Sequence, residues 1–354
     1  LNTVAAGTIA EDRLATTTTD TGLSGTLSAA DVDVETLTFG VSGGTDNGST
    51  VTKVGTYGTL TVSKSSGAYS YTKNASSIEG LDDGESGVDS FTFTVSDGDD
   101  ALVSQGYTVT VTGADDQPTL NTVAAGTIAE DRLATTTTSA GLSGTLSAAD
   151  VDVETLTFGV SGGTDNGSTV TKVGTYGTLT VNKSSGAYSY TKTASSIEAL
   201  DDGESGVDSF TFTVSDGDDA LVDQGYTVTV TGADDQPTLN TVAAGTIAED
   251  RLATTTTSEG LSGTLSAADV DVETLTFGVS GGTDNGTTVT KVGTYGTLTV
   301  NKSSGAYSYT KTASSIEALD DSESGVDSFT FTVSDGDDAL VDQGYTCLLY
   351  TSPS

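Results

Sequence analysis

The sequence predicts an all-β chain made of three tandem antiparallel β-sandwich domains. Three observations lead to this prediction: a long internal repeat, an alternation of apolar and polar residues with a period of two, and turn residues between the alternating segments. The heptapeptide Leu-Asn-Thr-Val-Ala-Ala-Gly begins at Leu1, Leu120 and Leu239, so the period is 119 residues. A period of this length fits a whole domain and is far too long for a solenoid unit.

The repeat sets the expected domain boundaries at 1–119, 120–238 and 239–354, which we call repeats 1, 2 and 3. The copies are nearly identical up to Thr346, where repeat 3 departs abruptly: Cys347-Leu348-Leu349-Tyr350 stands where repeat 1 has Val109-Thr110-Val111-Thr112. An abrupt loss of register without gradual divergence is typical of a sequencing or assembly join, so Cys347 is not considered as a functional residue. Alternation still predicts that Cys347 and Leu349 face inward while Leu348 and Tyr350 face solvent. Since the chain does not begin with Met, we expect it to start within a longer protein.

Two hairpins are the clearest elements of repeat 1. Thr59–Val62 and Ala68–Thr72 alternate on either side of the turn Ser65-Ser66-Gly67, and Ser90–Val95 and Gly106–Val111 form the second pair. Thr is abundant in these segments, which favours strands over helices.

The remaining segments predict shorter elements. Further strands are expected at Leu23–Leu27, Glu35–Val41 and Val51–Val54, with a short edge strand at Asn2–Val4 and a helical turn at Ala75–Leu81. The positions predicted to face the core are Leu37, Phe39, Leu60, Val62, Tyr69, Tyr71, Phe91, Phe93, Val95, Tyr107, Val109 and Val111.

Composition excludes several classes of function. The chain has 50 acidic against 12 basic residues and a net charge of -38, so it lacks the Lys and Arg that bind nucleic-acid phosphates. It has no His, which excludes imidazole metal ligands and Ser-His-Asp relays. Its single Cys excludes an intrachain disulfide, and no apolar run is long enough for a transmembrane segment.

The acidic residues of repeat 1 fall into five clusters at turns and strand ends. They are Glu11-Asp12, Asp31 to Glu35, Asp82 to Glu85, Asp97 to Asp100, and Asp115-Asp116. In a sandwich these points gather at the two poles, where carboxylates repel one another unless a cation neutralises them. Ca²⁺ suits such a set, because it takes six to eight oxygen ligands, whereas Mg²⁺ demands a tighter octahedron. Each cluster alone also fits a solvated strand face or an ordinary hairpin turn.

Four segments of repeat 1 form a recognisable set: Gly58 to Val62, Gly67 to Tyr71, Asp89 to Gly98, and Val109 to Pro118. Together they resemble the VCBS repeat, a cadherin-like module that occurs in tandem in large secreted and surface adhesins of bacteria, often beside RTX-type regions. The resemblance implies cadherin-like or Ig-like sandwiches in an elongated array, located on the bacterial cell surface or secreted. It also implies Ca²⁺ between consecutive domains.

The resemblance further implies which carboxylates hold the ions at each of two junctions between repeats. Glu11 resembles the acidic residue near the domain start, Asp31 with Asp33 the Asp-x-Asp motif, and Asp97 the Asp-Gly turn. The first junction would comprise Glu11, Asp82, Glu85, Asp115, Asp116, Asp150, Asp152 and Asp216. The second would comprise Glu130, Asp201, Glu204, Asp234, Asp235, Asp269, Asp271 and Asp335.

The sequence is compatible with three functions. The first is a calcium-stiffened spacer and adhesion module, whose partners are its neighbouring repeats and a cell-surface or matrix ligand bound through other parts of the parent protein. The second is a calcium-dependent ligand-binding or glycan-binding domain. The third is a carboxylate-pair glycosidase, which the sequence disfavours because the chain has no Trp to build a sugar platform. We therefore expect a non-enzymatic module.

Overall fold

Each repeat forms its own two-layered β-sandwich. The computed structural model describes residues 1–12, 20–33, 35–99, 101–131, 140–152, 154–218, 221–249, 259–271, 273–320, 322–337 and 339–351. Val34 and Asp100, which belong to two of the acidic segments, and the last three residues of the tail lie outside the described residues.

The elements recur from repeat to repeat with nearly constant bounds. Those of repeat 1 are β1 (Gly7–Ala10), β2 (Leu23–Thr26), β3 (Thr38–Val41), β4 (Thr45–Asp46), β5 (Thr50–Val54), β6 (Gly58–Ser63), β7 (Ala68–Lys73), α1 (Ala75–Ile78), β8 (Ser86–Ser96) and β9 (Val103–Thr112). The linker and repeat 2 contain β10 (Thr119–Leu120), β11 (Gly126–Ala129), β12 (Leu142–Thr145), β13 (Ala148–Ala149), β14 (Thr157–Val160), β15 (Thr164–Asp165), β16 (Thr169–Val173), β17 (Gly177–Asn182), β18 (Ala187–Lys192), α2 (Ala194–Ile197), β19 (Ser205–Ser215) and β20 (Val222–Thr231). The next linker and repeat 3 contain β21 (Thr238–Leu239), β22 (Gly245–Ala248), β23 (Leu261–Thr264), β24 (Ala267–Ala268), β25 (Thr276–Val279), β26 (Thr283–Asp284), β27 (Thr288–Val292), β28 (Gly296–Asn301), β29 (Ala306–Lys311), α3 (Ala313–Ile316), β30 (Ser324–Ser334) and β31 (Val341–Tyr350).

The two sheets of repeat 1 have the strand orders β1-β9-β8-β3 and β2-β7-β6-β5-β4. The predicted antiparallel sandwich is confirmed, with one addition: β1 pairs parallel to β9, so that Gly7 lies opposite Val109 and Ala10 opposite Thr112. Because the first and last strands run in the same direction, the chain enters a repeat at one pole and leaves it at the other. This topology suits an end-to-end array.

Two strand predictions were wrong in position. The predicted edge strand at Asn2–Val4 is not a strand; the amide of Asn2 donates to the Ser28 carbonyl (2.8 Å), and the strand lies instead at Gly7–Ala10, where the ladder with β9 begins. The strand predicted from Glu35 starts only at Thr38, since pairing with β8 begins there.

The core lies between the two sheets and follows the predicted alternation. Of the inward positions expected in repeat 1, Leu37 and Tyr69 are partly buried and the others are buried. The sequence did not identify Ile9, Leu27, Val41 and Ile78, which are also buried. Ile9 was missed with its strand, and Ile78 because it lies on the helical turn α1.

The unusual end of repeat 3 completes its sheet. Cys347 and Leu349 on β31 are fully buried, whereas Leu348 and Tyr350 are 38% and 41% exposed, as their alternation predicted. β31 pairs with both β22 and β30, so Cys347 to Tyr350 replace the Val and Thr residues of repeat 1 without breaking the ladder.

Ser322 is a strained backbone position in repeat 3. It has a φ of 71°, where repeats 1 and 2 have Gly84 and Gly203 at 80° and 81°. A residue with a Cβ is disfavoured in this left-handed region. We expect Ser322→Gly to stabilise repeat 3 by about 1 kcal/mol, which slows hydrogen exchange in β31 by about fivefold.

The reciprocal substitution is the control. Gly203→Ser should destabilise repeat 2 by a similar amount through its φ alone, because a Cβ at Gly203 would meet no atom within 4 Å. It should leave exchange in β31 unchanged. Equal exchange rates in Ser322→Gly and the parent chain would show that the strain is absent.

Candidate metal centre

The segment that joins β9 to repeat 2 carries two buried carboxylates. Asp115 and Asp116 are each 1% exposed. Before them, the Gly113 amide donates to the Glu85 carbonyl (3.0 Å), and a side chain at Gly113 would collide with the Leu81 carbonyl. After them, Leu120 on β10 pairs with Ala148 on β13 of repeat 2. The linker is thus bound to repeat 1 at its beginning and to repeat 2 at its end, and its carboxylates lie between the two repeats.

Glu11, Asp116 and Asp152 form the first group of carboxylates, which we call the inner cluster. One oxygen from each lies within 4.8 Å of the others. Glu11 comes from repeat 1, where its amide extends the β1–β9 ladder by donating to the Thr112 carbonyl (3.0 Å). Asp152 comes from repeat 2, just after β13. The inner cluster therefore draws on both repeats and on the linker.

Among the residues that the structure describes, few hydrogen-bond donors reach the inner cluster. The Ala114 amide donates to Glu11 Oε2 (3.1 Å), and the Asp116 amide donates to Asp152 Oδ2 (2.7 Å). Glu11 Oε1, Asp152 Oδ1 and both carboxylate oxygens of Asp116 are buried without a hydrogen-bond partner. A buried carboxylate oxygen without a donor is costly, and a bound cation would remove that cost.

Asp82, Asp115, Glu154 and Asp218 form the second group, the outer cluster. Their ligand oxygens also lie within 4.8 Å of one another. Asp115 is buried and Asp218 is exposed, so this cluster opens toward solvent. Asp82 comes from repeat 1, whereas Glu154 and Asp218 come from repeat 2.

The second junction reproduces both clusters. Its inner cluster is Glu130, Asp235 and Asp271, and its outer cluster is Asp201, Asp234, Glu273 and Asp337. At the opposite pole of repeat 1, Asp31, Glu35 and Asp97 also bring their oxygens within 4.8 Å of one another. They are the counterparts of Asp150, Glu154 and Asp216 in repeat 2.

Burial and mutual repulsion shift the titration of these carboxylates. Desolvation, followed by the charges of Glu79, Asp116 and Asp152, raises the pKa of Glu11 to about 7. Desolvation and the charge of Asp152 raise the pKa of Asp116 to about 6. Desolvation and the charge of Asp82 raise the pKa of Glu154 to about 7. The clusters therefore resist being ionised together without a compensating cation.

These shifts set the sign of the pH dependence in calcium-free buffer. A folded-state pKa raised above the unfolded value means that the folded chain binds more protons, so stability falls as pH rises from about 4.5 to 7. The chain has no His that titrates in this window. The urea midpoint should therefore fall between pH 5 and pH 7.5.

Millimolar Ca²⁺ should flatten or reverse this trend, because the ion binds ionised carboxylates and its apparent affinity rises with pH. A calcium-free midpoint that rises over the same range would contradict the raised pKa values of Glu11 and Glu130.

The donor set of both clusters is suited to a hard cation. Every ligand atom is a carboxylate oxygen, which Ca²⁺ and Mg²⁺ prefer over the nitrogen and sulfur ligands typical of zinc sites. Three or four carboxylates in one group concentrate negative charge, which a divalent cation would balance. The arrangement can thus hold divalent cations and, by doing so, tie two repeats together.

Comparison with known families gives a direct match. Residues 3–113, 115–232 and 234–346 each match the bacterial cadherin-like domain. The chain belongs to this family. Cadherin-like domains in general are structural and adhesion modules, are typically extracellular and generally bind Ca²⁺.

Solved structures with similar chains include several cadherins. Mouse cadherin-23 EC22-24 is 14% identical, with 100% of this chain and 97% of that chain covered and a TM-score of 0.39. Human CDH23 EC21-23 is also 14% identical, with 97% of each chain covered and a TM-score of 0.38. The protocadherin gamma B2 extracellular domains 1-5 are 13% identical, with 100% of this chain and 59% of that chain covered and a TM-score of 0.43. Comparison with curated proteins finds no match.

The family match confirms the coarser part of the sequence-based assignment, namely three cadherin-like domains in tandem. The narrower assignment to VCBS repeats of RTX-type adhesins stays a prediction. In the described parts of the chain, no helix has both the length and the apolar character needed to cross a membrane.

Most of the ligands predicted for the cadherin-like junctions lie together in the structure. Glu11, Asp82, Asp115, Asp116 and Asp152 lie in the inner or outer cluster of the first junction. At the second junction the same holds for Glu130, Asp201, Asp234, Asp235 and Asp271. Asp150 and Asp216 lie close enough that the charge of Asp216 contributes to a raised pKa of Asp150, and Asp335 acts likewise on Asp269.

Glu85 and Glu204 are placed differently from the other predicted ligands. Both side chains are exposed, and their backbones shape the turn instead. The Glu85 amide donates to the Asp82 carbonyl (2.9 Å), while its own carbonyl accepts from Gly113 (3.0 Å). Their role as ligands stays a prediction.

Three carboxylates at each junction were not predicted as site residues from the sequence. Glu154 and Asp218 belong to the outer cluster, and Glu79, which is 3% exposed, adds its charge to the inner cluster. Glu154 and Asp218 were detectable, since their counterparts Glu35 and Asp99 lie in recognised acidic segments. Glu79 gave less signal, because it follows a helical turn and stands apart from the next acidic run. The second junction has Glu198, Glu273 and Asp337 at these positions.

Proposed function

We propose that the chain is a calcium-stiffened extracellular spacer and adhesion module of a large bacterial surface or secreted adhesin. Its two junctions would each hold Ca²⁺ through carboxylates of the inner and outer clusters. In this function the ions fix the angle between consecutive repeats, and the array projects a binding region carried elsewhere in the parent protein.

One observation carries the proposal: Asp116 is buried between two repeats with neither carboxylate oxygen hydrogen-bonded, beside Glu11 and Asp152. Asp235 stands in the same position at the second junction and is fully buried. Buried charges of one sign at a domain boundary are unfavourable unless an ion of the opposite charge balances them. Extracellular calcium modules bind with dissociation constants of about 10⁻⁴–10⁻³ M.

Two further points support this function. The same ligands recur at both junctions, as a stiffened array requires. The resemblance to VCBS repeats supplies the adhesin context and favours a ligand contacted by other parts of the parent protein.

Small-angle X-ray scattering of the full chain tests the proposal. A compact 119-residue domain measures about 35 Å across, so three in line span about 100 Å. In millimolar Ca²⁺ we expect a maximum dimension of that order and the cross-section of a rod. In EDTA the particle should sample bent forms, and its distance distribution should broaden. Identical scattering in both buffers would refute stiffening by calcium.

A further inference from the structure

A buried carboxylate on β8 follows closely, in sequence, the segment that carries two junction acids. Asp89 on β8 is 4% exposed and is not part of either cluster. It accepts hydrogen bonds from the amide of Thr56 (2.7 Å), the amide of Tyr57 (3.0 Å) and the hydroxyl of Tyr71 (2.7 Å). These three donors satisfy the hydrogen-bonding capacity of the Asp89 carboxylate without an ion.

Tyr57 connects the two ends of the segment between β7 and β8. Its amide donates to Asp89, and its ring lies over Gly87, both near the start of β8. Its carbonyl accepts from the amide of Asn74 (2.7 Å), the residue before α1. The segment 74–87 is therefore fastened at its beginning and at its end to one residue.

This segment carries Glu79 and Asp82. Between the two fastened ends, the Glu79 amide donates to the Ala75 carbonyl (2.9 Å), and Ile78 is fully buried in the core. The Glu85 amide donates to the Asp82 carbonyl (2.9 Å). The position of both acids thus depends on where the segment begins and ends.

We propose that Asp89 and Asp208 are positioning residues for the metal centres: each holds the turn before β6 or β17, which in turn fixes the segment that carries the junction acids. This inference rests on the proposed calcium function. Asp208 makes the same contacts with Thr175, Tyr176 and Tyr190 at 2.7, 3.0 and 2.7 Å. Residues that orient metal ligands change metal affinity by about 10- to 100-fold when substituted.

Repeat 3 provides a matched control within the same chain. Asp327 accepts the same three hydrogen bonds, from Thr294 (2.8 Å), Tyr295 (3.0 Å) and Tyr309 (2.7 Å). In the sequence, however, repeat 3 has Pro353 and Ser354 where repeat 1 has Asp115 and Asp116. Asp327→Asn therefore alters the same local contacts in a repeat whose sequence lacks these two linker carboxylates.

The test compares Asp89→Asn/Asp208→Asn with Asp327→Asn in the full chain. An Asn amide would face a backbone N–H or the Tyr hydroxyl instead of accepting from it, so the turn loses one of its anchors. Calcium titration by calorimetry should show at least about tenfold weaker binding at both junctions in the double variant and unchanged binding in Asp327→Asn. Hydrogen exchange in calcium-free buffer should show comparable loosening of the substituted repeats.

The possible results distinguish a failure of the proposed calcium function from a failure of the positioning role. If the parent chain binds no calcium, the proposed function fails. If the parent binds calcium and the double variant binds it within twofold as tightly, while its repeats are loosened as in Asp327→Asn, the positioning role is overturned. Should the double variant fail to fold, Tyr57→Ala/Tyr176→Ala, with Tyr295→Ala as control, removes the ring over Gly87 and Gly206 but keeps the backbone contacts. The Tyr double variant should also weaken calcium binding, and unchanged binding would overturn the positioning role.

Discussion

Removing calcium should lower the melting temperature of the chain by about 10 °C or more. A ligand that binds only the folded state stabilises it by about 2.7 kcal/mol at one hundred times its Kd. For a domain of this size, 1 kcal/mol shifts the melting temperature by roughly 4 °C. Because every repeat contributes carboxylates to at least one junction, all three repeats should respond.

Calorimetric melting in EDTA and in millimolar Ca²⁺ measures this difference. Mg²⁺ at the same concentration should restore less stability, since it fits a flexible carboxylate set poorly. Sodium chloride at 150 mM screens exposed charges but leaves the buried inner cluster uncompensated. Equal melting curves in EDTA and Ca²⁺, or full rescue by salt alone, would contradict ion binding in the clusters.

Asp116→Asn should have opposite effects with and without calcium. Without the ion, the substitution removes a buried negative charge beside Asp152 and Glu79, so the calcium-free chain becomes more stable. With calcium, the substitution removes a charged ligand, and the affinity of the first junction falls by at least about tenfold. Asp115→Ala and Asp150→Ala should also weaken binding, although their effect on the calcium-free chain depends on the contacts each loses.

The control is Asp46→Ala. Asp46 is exposed, pairs with Lys64 Nζ (2.9 Å), and lies outside the acidic segments. The hydrogen bond with Lys64 lowers the pKa of Asp46, in contrast to the raised pKa of Asp116. Calorimetric titration should show unchanged calcium affinity for this variant. Equal losses for Asp46→Ala and Asp116→Asn would indicate a diffuse ion atmosphere around the chain.

The β-sandwich could be predicted from the sequence because the alternation of apolar and polar residues is a local signal. Leu60, Val62, Phe93 and Val109 were placed correctly, since each lies on a long strand where every second residue is apolar. The parallel pairing of β1 with β9 was not predictable in the same way. Gly7–Ala10 contains one buried apolar side chain, Ile9, and its partner strand lies about a hundred residues away.

The candidate site was predictable where acids recur in short runs and not where the fold brings single residues together. Asp115 and Asp116 follow a strand and precede a proline, which marks a linker. Glu79 can be recognised as a site residue only from the fold, because its place after α1 brings its charge close to Glu11. The side chain of Glu85 is exposed because its backbone closes the turn that begins at Asp82. The spacing of acids alone does not reveal which member of an acidic run faces inward.

A crystal structure of the full chain grown in Ca²⁺, with anomalous difference density measured at long wavelength, tests the central claim most directly. The account predicts peaks at both junctions among Glu11, Asp116 and Asp152 and among Glu130, Asp235 and Asp271, with carboxylate oxygens about 2.3–2.6 Å from each ion. Peaks confined to exposed acids such as Asp46, or inner clusters that remain without an ion in calcium-saturated crystals, would contradict it.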